Sequence, residues 1–530
     1  MKYTKKQIVP IVAMSMLLGL MVIFRTPIAE RANETSKPEQ QNAAKSAESK
    51  QIPTSSKPKS QNGDRTNKVA GADTAPVSAR IPGTTQKRYY TLAAPNDPRY
   101  AAAWYLQTVN APSAWNTTTG SSAVTVAVID TGFALAHQEL TTRWKLNSND
   151  LIDGADNDGN GYVDDYLGWD FANGDSSPQA GQVDPNGGGT SHGTEVSGLV
   201  GATGNNGVGT SAISWNTSIL PLQVIDDSGS GYSDDVANAI YYAVDRGVDV
   251  INMSLGTSGD DPIVRAAVDY AFNHNVVVVA AAGNCGNAGS TGACAGQPTG
   301  YITFPASYNR VIAVGATTST NTRASFSSYG ERLDVVAPGS GSIVSPTWVN
   351  GNGTSSYAEN LYGTSYASPI VASSVALIKS IRPSSSVDDV RALIMAGAAK
   401  LGSMSGSFYT QNYGHGMLDV GKMITIASNL NTSGEQVPEL FQVGGVQSEH
   451  SYGTADTIGS GCTDSALTWC TVWLRNDSTN YERYLPYTKT SSAGKAGWNF
   501  GSGTLGSGSW EARARQGDVV STTPYSFFRK

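Results

Sequence analysis

The sequence predicts an α/β fold, a three-layer parallel sheet with helices on both faces, followed by a small all-β module that resembles a sandwich. Three observations carry this prediction. Between residues 123 and 316, short apolar runs alternate with amphipathic stretches, the pattern of repeated strand–helix–strand units. The runs themselves, such as Ala123 to Ile129, have no polar alternation, so they read as strands covered on both faces. From about Gly434 the pattern changes to short alternating segments separated by Gly, Ser, Asn and Asp.

Four regions follow in order. Residues 1–30 carry Lys2, Lys5 and Lys6 ahead of an apolar run from Ile8 to Phe24, the layout of a secretion signal. No small-x-small cleavage site follows, so an uncleaved N-terminal membrane anchor with its amino end inside is the competing expectation. Residues 31–88 are almost free of large apolar side chains and read as a disordered polar linker. Residues 89–430 form the main domain. Its expected strands are Ala123–Ile129, Ser218–Ile225, Val248–Met253, Val276–Ala282 and Val311–Ala316. Its expected helices open at His192 with Ser191 as cap, at Ser233 as cap, at Pro262 with Val264, Ala267, Val268, Ala271 and Phe272 inward, and at Val387. Tyr413 to Ile424 closes the domain. Residues 434–530 are the β-rich accessory module, with segments Thr471–Leu474, Tyr481–Tyr487, Ala493–Phe500 and Ser509–Ala514.

At 530 residues the chain exceeds one ordinary domain, and its net charge of −7 offers no basic face for nucleic acid. The four cysteines fall into two close pairs, Cys285 with Cys294 and Cys462 with Cys470. Neither pair has Cys-x-x-Cys spacing, so local disulfides in an oxidising compartment are expected over zinc.

The chemistry centres on Gly363-Thr364-Ser365-Tyr366-Ala367-Ser368-Pro369, which precedes the apolar run Ile370 to Ile378. That run reads as a buried helix, with Gly363 allowing a sharp turn and Pro369 placed near the helix start. Ser365 then sits where unpaired N–H groups favour a developing oxyanion. A serine hydroxyl needs a base, and the base needs an orienting group. His192 at a helix start and Asp130 just past the first buried strand supply both, and Asn284, past another strand end, offers an amide to the oxyanion.

Five segments together resemble the subtilisin-like serine proteases, the subtilases: Val128-Ile129-Asp130-Thr131-Gly132, Ser191-His192-Gly193-Thr194, Asn252-Met253-Ser254-Leu255-Gly256, Ala281-Ala282-Gly283-Asn284 and the Ser365 segment. Their order Asp, His, Ser is the subtilisin order. The resemblance covers roughly residues 97–428 and implies a serine endopeptidase with Asp130, His192 and Ser365 as triad and Asn284 as oxyanion donor. It also implies that Ser254, Leu255 and Gly256, with Gly229, Ser230 and Gly231, clasp an extended peptide, and that Ala281, Ala282 and Gly283 line the pocket for the side chain before the cut. Gly-rich strand edges suit β-augmentation by a substrate backbone. One departure is Glu195, three residues after His192, where the family often has a second His. Another is that residues 31–88 are too polar for the folded inhibitory prodomain many relatives carry.

No cofactor is required by this chemistry. Asp156, Asp158, Asn160 and Asp164 stand at positions 1, 3, 5 and 9 of an EF-hand-like count with Gly161 at 6, so structural calcium is one expectation and a solvated Asp/Asn/Gly turn the other. The twelfth position is Leu167, so the motif is incomplete. Gly189 to Gly193 also matches the Gly-x-Ser-x-Gly elbow of α/β-hydrolases, but coil-forming residues precede it and no later Asp–His pair has a matching context. The other histidines, His137, His274 and His415, read as surface or structural. The expected protein is thus a secreted or surface-tethered monomeric endopeptidase acting on extended polypeptides; the alternative is a cell-surface adhesion protein that uses its C-terminal module.

Overall fold

The computed structural model describes residues 94–181, 191–349, 354–405, 407 and 409–429 with their side chains, and by backbone alone the strand Val12–Ala13 and the strands between Glu449 and Arg529. Seven parallel strands form the central sheet: β1 Thr125–Asp130, β2 Trp169–Asp170, β3 Ser218–Gln223, β4 Val250–Met253, β5 Val277–Ala281, β6 Val311–Thr317 and β7 Val335–Pro338. Their spatial order is β2-β3-β1-β4-β5-β6-β7. The order reverses at β1, which lies between β3 and β4. Crevices at the carboxyl ends of strands at such a switch point are where open α/β sheets hold functional groups. Asp130 ends β1 there, opposite Gln223 of β3.

Among the described residues, two five-residue helices, Trp104–Thr108 and Ala111–Trp115, precede β1, and the longer helices are α1 His192–Gly201, α2 Ser233–Asp245, α3 Pro262–Asn273, α4 Thr364–Ile381, α5 Val387–Gly397 and α6 Val420–Asn429. Alternate residues of β1 enter different cores. Val126 and Val128 pack with α1, α4, α5 and α6, whereas Ala127 and Ile129 pack with α2 and α3. Both faces of the sheet are therefore covered, which is why the strand sequences lack polar alternation.

Local chemistry sets the helix starts. Asp261 caps α3 by accepting from Ile263 N at 2.9 Å, ahead of Pro262. Ser386 and Asp389 form a reciprocal capping box on α5. One cap expectation needs correction and one holds by position. Ser233 is the first residue inside α2, whose cap is Tyr232, and Ser191 caps α1 by position without a side-chain bond to the helix. Phe272 is only partly buried, unlike its inward neighbours on α3. The domain closes with α6, which starts later than the Tyr413 segment suggested.

The sequence reading did not anticipate β7 or the hairpin of β8 Ile343–Pro346 and β9 Tyr357–Leu361. The strands between Glu449 and Arg529 are mostly antiparallel and include Trp469–Asn476, Tyr481–Tyr484, Lys495–Phe500 and Gly508–Gln516. Apart from Val12–Ala13, the apolar N-terminal run and the polar linker lie outside the described residues. Among the described residues no helix is long and apolar enough to cross a membrane.

Candidate active site

Asp130, His192 and Ser365 come from three elements and are all buried. Asp130 Oδ1 accepts from Thr131 N at 2.7 Å and lies 2.6 Å from His192 Nδ1. The first turn of α1 is pressed onto the end of β1, where Gly193 N donates to Thr131 Oγ1 at 2.8 Å and Ala134 N to Thr194 Oγ1 at 2.8 Å. Gly193 permits this approach, because a Cβ there would lie 2.5 Å from the Thr131 carbonyl oxygen and 2.8 Å from that of Gly132. Gly193→Ala is expected to push α1 off β1, costing about 1–3 kcal/mol of stability and lowering kcat with it. Thermal melting and peptide hydrolysis of the variant check this.

Burial works to lower the His192 pKa, but the charge and hydrogen bond of Asp130, joined by the charge of Glu195, outweigh it, so the pKa lies above the ordinary value. His192 Nε2 and Ser365 Oγ are both buried without a hydrogen-bond partner. The bond expected between them is not made in this structure.

Ser365 is the second residue of α4. Gly363 before it has φ 150° and ψ 157°, a region that side chains other than glycine's essentially do not enter. Pro369 lies in the second turn of α4 rather than at its first position, so it removes the N–H that would bond the Ser365 carbonyl. Ser254 Oγ replaces it, donating to Ser365 O at 2.8 Å. Asn252 Nδ2 donates to Ser254 Oγ at 3.0 Å, and Ser368 Oγ donates to Asn252 Oδ1 at 2.8 Å. This chain of bonds ties the end of β4 to the start of α4. Sequence reasoning gave Asn252 and Ser368 no part in the site; the signal available was one Asn between Ile251 and Met253 in an otherwise apolar strand.

Asn284 follows β5. Its Oδ1 accepts from Thr364 N and Thr364 Oγ1, each at 3.1 Å, which turns the NH2 end away from Thr364. Asn284 Nδ2 and Ser365 N each lie 3.7 Å from the point beside Gly363 that a Cβ would occupy. Two N–H donors thus border the same small space.

Of the residues expected to bind the peptide, Ser254 bonds the Ser365 carbonyl and Gly283 bonds Thr364. Leu255–Gly256 is a short strand on which Val12–Ala13 pairs antiparallel, so its backbone edge accepts an added strand. Gly229, Ser230 and Gly231 form a tight turn just past β3, braced by Asp226, whose Oδ1 accepts from Ser228 N at 2.9 Å and Ser230 N at 3.0 Å. Ala281 and Ala282 are fully buried, and Ala282 O accepts from Thr303 N at 3.0 Å. Gly283 has φ 117° and donates to Thr364 Oγ1 at 3.2 Å.

Cys285 and Cys294 form a disulfide that begins immediately after Asn284. Cys470 lies on the strand Trp469–Asn476, and its expected pairing with Cys462 falls outside the described side chains. The residues of the calcium quartet bond within and beside their own loop. Asp156 accepts from the N–H groups of Gly159, Asn160 and Gly161, whereas Asp164 turns to Asp153 N at 2.8 Å and Gly154 N at 2.9 Å. Asn160 Nδ2 bonds Asp165 Oδ2 at 2.8 Å, and Asp158 Oδ2 accepts from Asn147 Nδ2 at 2.9 Å. These bonds tie the loop to itself and to Asn147. Among the described residues no group of three or more acidic, His or Cys side chains could hold a metal. His137 and His415 are buried, the former 2.9 Å from the Ser356 carbonyl, whereas His274 is exposed, bonding the Tyr270 carbonyl through Nδ1.

The family model described as Subtilase family matches residues 121–421, more than half of the chain. Thermitase of Thermoactinomyces vulgaris is 36% identical over 318 residues, covering 60% of this chain and 95% of that protein. Subtilisin DY of Bacillus licheniformis is 39% identical over 297 residues, covering 56% of this chain and 89% of that protein. The halolysin-like extracellular serine protease Nep of Natrialba magadii is 33% identical over 337 residues, of which the match covers 54% of its length and 64% of this chain. A solved protease structure from Pseudoalteromonas arctica PAMC 21717 matches at TM-score 0.50 and 29% identity, covering 63% of this chain and all of that one. A parallel sheet with its switch point at Asp130, and a buried carboxylate, imidazole and hydroxyl gathered from three elements, agree with these likenesses: the chain belongs to the subtilase family and is a subtilisin-like serine endopeptidase.

Proposed function

We propose that the chain is exported and cuts extended polypeptides through an acyl-enzyme formed on Ser365. His192 takes the Ser365 proton on Nε2 as Oγ bonds the scissile carbonyl carbon. It then gives that proton to the leaving amine, and water repeats the sequence to free the acid. Asp130 holds the imidazole through Nδ1 and balances the charge it gains. Asn284 and the Ser365 N–H receive the oxyanion. The observation that carries this reading is the 2.6 Å contact of His192 Nδ1 with Asp130, which leaves Nε2 as the nitrogen for the Ser365 proton. The unmade His192–Ser365 bond is compatible with it, because such bonds are often long before substrate binds.

A substrate backbone pairs with Leu255–Gly256 in the manner of Val12–Ala13. Export is supported by the Cys285–Cys294 disulfide and by a relative whose name includes "extracellular". The boundaries 1–30, 31–88, 89–430 and 434–530 belong to the same proposal, with an N-terminal anchor as the alternative to a cleaved signal. Labelling with a serine-directed phosphonate followed by peptide mapping tests the nucleophile. Label on the peptide containing Ser365, with parallel loss of casein hydrolysis, is expected; label elsewhere, with Ser365 unmodified, sinks the assignment.

The pH profile gives a second test. A base must be neutral to accept a proton, and the His192 pKa is raised. So kcat/KM is expected to fall as pH drops through a limb above 6.5, the ordinary value for His, and the limb is expected to move down in Asp130→Asn.

A further inference from the structure

Glu195 is a buried carboxylate with no part in the steps above. It lies one helical turn beyond His192, so both side chains share a face of α1. Its Oε2 accepts from Tyr366 OH at 2.7 Å and its Oε1 from Thr347 Oγ1 at 2.7 Å. Its backbone carbonyl accepts from Ser345 Oγ at 2.6 Å. Tyr366 is the residue after Ser365, and its ring stands 5.5 Å from the His192 ring, tilted by 59°. One carboxylate therefore spans the helix that carries His192, the helix that carries Ser365 and the end of β8.

We propose that Glu195 and Tyr366 are a positioning pair for the reaction, clamping the His192 ring beside Ser365 and placing a second negative charge behind the imidazole. The proposal rests on the reading of His192 as base and Ser365 as nucleophile. Neither oxygen of Glu195 is bonded to the imidazole, so Glu195 acts through Tyr366 and through space. A buried carboxylate needs donors, and Tyr366 and Thr347 supply one to each oxygen. Burial first, and then the nearby Glu195 charge, hold the Tyr366 phenol well above its ordinary pKa, so it stays protonated and donates throughout the working range. The charges acting on His192 are Asp130 from β1 and Glu195 from α1. Tyr366 faces both from α4, and Tyr362 stands near Tyr366. Both carboxylates favour the imidazolium that forms as Ser365 gives up its proton.

Glu195→Gln keeps an oxygen for Tyr366 and removes the charge. The experiment is the kcat/KM–pH profile of the full chain on a chromogenic peptide, for the wild type, Glu195→Gln, Tyr366→Phe and the double variant. In Glu195→Gln the acid limb is expected to move to lower pH. At one pH below the wild-type limb, the fraction of plateau activity retained should rise roughly twofold or more. Tyr366→Phe keeps the ring but loses the clamp, and its kcat is expected to fall about three- to tenfold with KM little changed. The double variant should combine the shifted limb of Glu195→Gln with the lowered kcat of Tyr366→Phe, because one change removes the charge and the other the clamp. Limbs that coincide in Glu195→Gln and the wild type would overturn the proposal, whatever happens to melting temperature. A wild-type profile with no limb, or His192→Gln with near-normal kcat, would instead remove the reading of His192 as base, so the two failures are distinguishable.

Discussion

Ser365→Ala is expected to lose about 10⁶ in kcat on a chromogenic peptide, while KM stays within a few-fold. The magnitude is carried over from subtilisin, a relative of this chain, where loss of the nucleophile or the base alone has that effect. The direction follows from this structure. In the proposed mechanism the hydroxyl is the atom that bonds the carbonyl carbon, whereas the surfaces proposed to hold the peptide, Leu255–Gly256 and the Gly229–Gly231 turn, do not depend on it. Binding survives and bond-making does not. Stability should move the other way or not at all. Ser365 Oγ is buried without a partner, so its removal breaks no hydrogen bond and relieves a desolvated hydroxyl. A melting temperature equal to or above that of the wild type is therefore expected together with the lost rate. Enzymes commonly hold such strain at the reacting atoms. A Ser365→Ala protein that cuts at near the wild-type rate would remove Ser365 from the mechanism.

The sequence made the carboxyl ends of the buried strands legible because continuous Val, Ile and Ala runs have few other uses. Asp130, Asn284 and the start of α4 followed from those runs and from the turn residues beside them. The strand β7 was harder to see because its four residues end in Pro338 and run straight into Gly339. The β8–β9 hairpin was hidden for a different reason. Tyr357–Leu361 is partly exposed along its length and includes Glu359 and Asn360, so no alternation marks it. Counting residues placed oxygens at the right intervals in the Asp156 loop, yet spacing does not say where a carboxylate points. Asp164 has φ 60° and turns to the backbone of Asp153 and Gly154. Pro369 shows the same limit. Its position near a helix start was clear, but that it strips the Ser365 carbonyl of a donor, and that Ser254 restores one, needs the fold. Glu195 was visible only as a departure from a familial pattern; its meaning lies in Tyr366, 171 positions away in sequence.

Asn284→Ala should lower kcat by about 10²–10³, again a subtilisin magnitude, with KM little changed. The oxyanion exists only in the transition state and the tetrahedral adduct, so its donor contributes little to binding the ground state. The difficulty is that Asn284 does two things. Its Oδ1 braces Thr364, whose N and Oγ1 both donate to it, and its Nδ2 borders the space beside Gly363 that Ser365 N also borders. Loss of rate in the Ala variant could therefore come from a loosened α4 start as much as from a missing donor. Asn284→Asp separates the two. The carboxylate keeps an acceptor for both Thr364 donors, so the brace and the melting temperature should hold. In place of the NH2 donor it presents an oxygen that carries no proton, and its charge repels the oxyanion. If donation is what matters, Asn284→Asp is at least as slow as Asn284→Ala. If bracing is what matters, Asn284→Asp recovers most of the wild-type rate, and the role of oxyanion donor passes from Asn284 to the Ser365 N–H alone.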